Sequence, residues 1–123
     1  MLYVPSFIQK YKGGIFMKKK EIVLMSAKEL VNMLVNGQQE EAAEYMDRLG
    51  AEFQELQGED PAVVIDNGED LAEWFREVSN ELFNHLDPSM DKAKWDWISK
   101  MWSFTWDASM KIDASVAKAR FGR

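Results

Sequence analysis

The chain has 123 residues, with 21 acidic against 15 basic side chains, a formal charge of -6 and no cysteine. That length holds one domain, and an apolar content of 46% with only seven Gly and three Pro excludes a disordered or collagen-like chain. Without cysteine there is no disulfide framework and no thiolate metal site, which fits a reducing cytoplasm, and the negative charge disfavours nucleic acid and anionic membranes and favours basic partners.

Residues 12–17 read Lys-Gly-Gly-Ile-Phe-Met, followed by Lys18, Lys19 and Lys20. Back-translated, Lys12-Gly13-Gly14 permits a purine-rich ribosome-binding sequence just ahead of the codon for Met17. The expectation is that translation starts at Met17 and that residues 1–16 are an over-called leader. The alternative is a genuine flexible arm with Tyr3, Phe7, Tyr11 and Phe16 as anchors. Residues 17–123 then form a single helical domain, and the charge of the shorter chain falls to -8, because Lys10 and Lys12 leave and no acid does. A strong purine-rich start of this kind suits low-GC Gram-positive bacteria and their phages. The N-terminus lacks the basic start, apolar run and small-residue cleavage site of a secretory signal.

Residues 21–25 are short, apolar and partly β-branched, so they suit a strand or the lead-in to a helix. Ser26-Ala-Lys-Glu29 is a capping box. It opens a helix that runs to about Asn36, with Leu30, Val31 and Leu34 inward and Gly37 as its stop. Residues 38–57 form a second helix, in which Ala42, Tyr45, Met46, Leu49, Phe53 and Leu56 recur at three- and four-residue steps. Gly50 sits inside it at a cost of ~1 kcal/mol relative to Ala.

Pro61 to Ile65 is an apolar run before the turn signal Asp66-Asn67-Gly68. It either pairs with residues 21–25 as a minor two-stranded β element or plugs the core. The plug is favoured, because isolated two-stranded ribbons are marginal. A third helix is expected over 69–86, with Leu71, Trp74, Phe75, Val78, Leu82 and Phe83 inward, broken by Asp87-Pro88-Ser89. Ser89 or Asp87 is expected to cap the last helix, with Asp91 in its first turn.

Residues 89–121 contain no Gly and no Pro and hold four of the five tryptophans, Trp95, Trp97, Trp102 and Trp106. This is one long helix with a polar stripe through Lys92, Asp96, Ser99, Lys100, Ser103, Asp107 and Lys111 and apolar residues around the rest. At ~45 Å it is longer than a small globule needs, so it either kinks near 107–109 or projects. Its most apolar part, 95–110, holds Asp96, Lys100 and Asp107 and is not a membrane span. The expected fold is all-α, a small bundle of about four helices with a long Trp-rich C-terminal one.

Catalytic signals are sparse. His85 is the lone histidine, next to apolar residues at a helix end, and no glycine loop has phosphate-binding spacing. Glu77, Glu81 and His85 lie at successive four-residue steps, but the Glu-x-x-His pairs of di-metal bundles are absent. No enzyme activity, cofactor or metal is expected.

The acidic block is sharper. From 38 to 81 there are fourteen Asp and Glu against two Arg, a local charge of -12. Glu69, Glu73, Glu77 and Glu81 repeat every fourth residue with Asp70 alongside, and Glu40, Glu44 and Asp47 begin a similar row. Neighbours in such a row stand ~6 Å apart and oppose the helix by ~0.2–0.5 kcal/mol per pair. Rows of this kind are usually solvated faces, but two of them can mimic a nucleic-acid backbone in a basic groove. Four Trp on one helix exceed what three short helices easily cover, and Trp is enriched at interface centres.

The leading expectation is therefore a small cytoplasmic binding protein of phage or mobile-element type. It would inhibit a basic, nucleic-acid-handling host protein such as a nuclease, with the acidic rows as charge and Trp97, Trp102 and Trp106 as anchors. Direct binding to nucleic acid is not expected, because phosphate contacts need basic side chains. The alternative is an oligomeric adaptor or assembly protein that self-associates, as a homodimer, through the C-terminal helix. The intact mass of the natively expressed protein checks the start site. It should equal that of the chain beginning at Met17.

Overall fold

The computed structural model describes residues 22–121. The leader or arm at residues 1–16 lies outside the described residues. Four α-helices follow in order: α1 (Ala27–Val35), α2 (Gln39–Glu55), α3 (Pro61–His85) and α4 (Lys92–Phe121), with one 3₁₀ turn, Leu56–Gly58, ending α2. No strand occurs among the described residues.

α1 begins at the expected cap, Ser26, with Glu29 reaching back to its hydroxyl instead of its amide. The Ser26 hydroxyl accepts from the Glu29 amide at 3.1 Å and donates to the Glu29 carboxylate at 3.4 Å. Leu30, Val31 and Leu34 are buried. Gly37 follows at φ 95°, where a side chain would be strained, and the Gln38 amide donates back to Met33 O at 3.0 Å. α2 buries Ala42, Met46, Leu49 and Phe53, the stripe read from its periodicity, and Tyr45 is half-buried.

α3 starts eight residues earlier than its expected beginning at Glu69. Asp60 accepts from the Ala62 amide at 2.9 Å with Pro61 in the first turn, a cap-and-proline start. Pro61 to Ile65 is thus no strand but the first turns of α3, and it fills the core through buried Val64, with Val63 and Ile65 packed beside it. Asp66-Asn67-Gly68 lies inside the helix and makes no turn. Two packing constraints override the local turn signal there. Asn67 is buried, donates to Val63 O at 2.9 Å and accepts from the Ile22 amide at 2.8 Å. Gly68 is covered by α4, and a Cβ added there would collide with Val116 Cγ2 and crowd the Phe53 ring at 3.2 Å.

α3 and α4 run antiparallel. Ser79 meets Trp102, Arg76 meets Asp113 and Gly68 meets Val116, so numbers fall on α4 as they rise on α3. Their seam is made of small groups. Ala72, Ser79, Thr105 and Ser109 are fully buried beside Gly68. Each buried hydroxyl has an acceptor: Ser79 donates to Trp102 O at 3.2 Å, Thr105 to Met101 O at 2.9 Å and Ser109 to Trp106 O at 2.7 Å. Ile98, Ile112 and Val116 add the apolar contacts. α4 is unbroken through 107–109, and its end does not project. Arg120 reaches Glu69 across the seam, so the last turn of α4 lies beside α3. The earlier start of α3, at 25 residues, takes up that length.

The loop between them is fixed by Asp87, which accepts from both the amide and the hydroxyl of Ser89 at 2.9 Å. These bonds hold its carboxyl below the usual carboxylate range. Asp91, and not Ser89 or Asp87, caps α4, accepting from the Lys94 amide at 3.0 Å.

Residues 22–25 form an irregular strap whose main chain bonds to side chains instead of a second strand. The Met25 amide donates to the Tyr45 hydroxyl at 2.7 Å, that hydroxyl donates to Val23 O at 3.3 Å, and Met25 O accepts from the Trp74 indole at 2.6 Å. With Asn67 on the Ile22 amide, the strap is tied to α2 and α3.

Two glycines in helix interiors should respond oppositely to alanine. Gly50 has nothing within 4 Å of an added Cβ, so Gly50→Ala should stabilise by ~0.5–1 kcal/mol. Gly68→Ala should destabilise by ~1–3 kcal/mol, because Val116 or the seam must shift. Urea unfolding of the two variants measures both signs.

Candidate protein-binding surfaces

The acidic side chains occupy the outer faces of α2 and α3. Glu40, Glu44 and Asp47 are exposed, on the side of α2 away from Ala42, Met46 and Leu49. On α3, Glu69, Asp70, Glu73 and Glu77 are exposed and Glu81 is half-buried. The α3 row is not one straight face. Each four-residue step advances about 40° beyond a full turn, so from Glu69 to Glu81 the row winds by roughly a third of the circumference. Glu69 ends beside α4, paired with Arg120. Glu77 and Glu81 reach the start of α1, where they line a cleft of about 470 Å³ with Ser26, Lys28 and Asn80.

The two arginines within the acidic block are turned to internal work. Arg48 lies over the Tyr45 ring at 5.0 Å and is 3.8 Å from Glu52. Arg76 pairs with Asp113 of α4 at 2.8 Å. Such exposed pairs contribute at most ~1 kcal/mol. Their effect on the surface is larger, since Arg76 is directed to α4 and leaves Asp70, Glu73 and Glu77 as an outward carboxylate cluster.

The tryptophans divide by whether the indole N–H has a partner. Trp74 is 5% exposed and holds Met25 O. Trp97 is half-buried and donates to Leu34 O at 3.1 Å, tying the start of α4 to the end of α1. Trp95, Trp102 and Trp106 remain 37%, 37% and 43% exposed. At seven- and four-residue steps they share one flank of α4, joined by exposed Met110 and by Phe83 of α3, whose ring centroid is 5.8 Å from that of Trp102. Trp102 and Trp106 therefore stand together as an aromatic strip. Trp97 does not join them, because five residues from Trp102 it lies about 140° away around the helix.

Sequence reasoning assigned Phe83 to the inward face of α3, and it is exposed at 56%. It also left Trp95 and Met110 out of the candidate surface. The 95–102–106 spacing was the available signal, masked by the apolar residues on the other flanks. On the opposite flank of α4, exposed Phe104 borders a groove of about 310 Å³ between α2 and α4, floored by Phe53 and Phe75, with Asp47 and Lys111 at its edges.

His85 is exposed at the end of α3. Among the described residues no group of three His, Asp or Glu side chains converges to hold a metal ion, and no helix is long and apolar enough to cross a membrane. The chain matches no protein-family model, no curated protein and no solved structure.

The division among the tryptophans predicts their weight in stability. Trp102→Ala and Trp106→Ala, each more than half covered, should cost ~1–2 kcal/mol, whereas Trp74→Ala should cost ~3–5 kcal/mol, because it empties a buried site and orphans Met25 O. Denaturant midpoints of the three variants check this order.

Proposed function

We propose that this protein is a small acidic binding protein, of the kind made by phages and mobile elements, that engages a basic, nucleic-acid-handling host protein and blocks it. The observation that carries this reading is the outward carboxylate surface of α2 and α3. The block 38–81 has fourteen acids, and its two arginines are engaged with Tyr45, Glu52 and Asp113. Carboxylates stand ~6 Å apart along each helix, so several can meet the lysines and arginines of a groove that otherwise holds phosphates. A negative face also steers a basic partner towards it, with a rate that falls as salt rises. In this reading Glu73, Glu77 and Asp70 of α3, with Glu40, Glu44 and Asp47 of α2, carry the complementarity. Glu69 contributes less, because Arg120 already pairs with it. The exposed aromatic strip favours a second reading, an adaptor that self-associates through α4.

Charge reversal tests the first reading. Asp70→Lys, Glu73→Lys and Glu77→Lys combined should leave the fold intact, since all three are exposed. Binding to a basic partner captured from a bacterial host lysate should fall by about a hundredfold or more, as three charge contacts at ~1 kcal/mol each become repulsive. Undiminished binding at physiological salt, measured by titration calorimetry, sinks the proposal.

A further inference from the structure

The strip on α4 has two properties that bear on what covers it. The first is its area. Trp95, Trp102, Trp106, Met110 and Phe83 are each 37–56% exposed. With large aromatic side chains at ~150–250 Å² each, they leave on the order of 500 Å² of apolar surface. That is at the upper end of what a monomer exposes in one patch. Two such strips face to face bury at most about 1,000 Å², which is the lower bound for a specific interface.

The second property is the order of charge beside it. Along the polar stripe that borders the strip, beyond Lys92 and half-buried Ser99, run exposed Asp96, Lys100, Ser103, Asp107 and Lys111, with Asp96 paired to Lys92 of its own helix at 2.8 Å. The signs are minus, plus, neutral, minus, plus. Read from the other end they are opposite, position by position. A helix laid antiparallel on its own copy, with a two-fold axis at the level of Ser103 and Phe104, sets Lys100 opposite Asp107 of the second copy and Asp96 opposite its Lys111. The symmetry repeats each pair. Such an axis keeps the same flank of both helices on the same side, as an isologous contact requires. A parallel pair in register would set Lys100 against Lys100 and Asp107 against Asp107.

We infer that the protein self-associates as an antiparallel two-fold dimer through the outer flank of α4, with Trp102 and Trp106 interleaving near the axis and Lys100 and Asp107 fixing direction and register. Ser99 and Ser103 supply the small positions between the rings that a facing indole needs. The acidic excess of the chain lies on α2 and α3, away from the contact. The inference does not depend on the basic-partner reading, since the carboxylate faces of α2 and α3 stay open in such a dimer.

Sedimentation equilibrium of the full chain, from micromolar to submillimolar concentration at physiological salt, tests it. A monomer–dimer equilibrium is expected. Lys100→Asp and Asp107→Lys should each weaken it by about tenfold, since each makes two like-charge contacts by symmetry. The double variant should recover the original affinity to within about threefold, because each reversed charge meets a reversed partner. Trp102→Glu should leave only monomer, with circular dichroism unchanged. A chain that stays monomeric throughout, a dimer indifferent to Lys100→Asp, or a double variant as weak as the single ones would each overturn the proposal.

Discussion

Gly68 beneath Val116, with Ala72 and the buried hydroxyls of Ser79, Thr105 and Ser109 along the same line, brings α3 and α4 into close approach. Much of the surface follows from that contact. A seam of small side chains leaves no room for indole rings between the helices, so Trp95, Trp102 and Trp106 are displaced to one flank of α4 and Phe104 to the other. The hydroxyls are accommodated because each donates to a helix carbonyl, so the seam is close without leaving a polar group unpaired.

The same economy of hydrogen bonds holds the strap before α1. Its main-chain groups have no neighbouring strand, and Tyr45, Asn67 and Trp74 take that place. Trp97 does similar work for Leu34 O, a carbonyl in the last turn of α1. Buried indoles in this protein are donors to orphan carbonyls, whereas the exposed ones have no such task. That contrast separates the structural tryptophans from those available to a second molecule.

Charge is partitioned by helix as well. α2 and α3 present carboxylates outward, and α4 alternates sign along its polar stripe with an excess of basic residues. The cross-seam pairs Arg76–Asp113 and Arg120–Glu69 join the two regions. Like-charged neighbours on α3 oppose helix formation slightly, and burial of Leu71, Phe75, Val78 and Leu82 on the inner side outweighs that by several kcal/mol. The molecule thus has two separate exposed surfaces, one acidic and one aromatic.

Much of this was legible in the residues. The Ser26 cap, the Gly37 stop, the buried stripe of α2 and the all-helical class follow from local chemistry and three- and four-residue periodicity, which depend only on neighbours in sequence. The acidic rows were legible too, since charge and spacing need no fold. Other features depended on residues far apart in the chain. Asp66-Asn67-Gly68 reads as a turn, yet Ile22, Phe53 and Val116 together make it a helix interior. Phe83 reads as core, yet it lies exposed against the Trp102 ring of α4. Glu69 to Glu81 reads as one row, and helix geometry with Arg120 at one end and α1 at the other divides it. By itself the sequence determined the all-helical class, three of the four helix starts to within a few residues and where the charge lies. Only the tertiary structure decided which aromatic rings are covered, because that depends on how closely two helices approach, and the approach is set by small residues more than twenty positions apart.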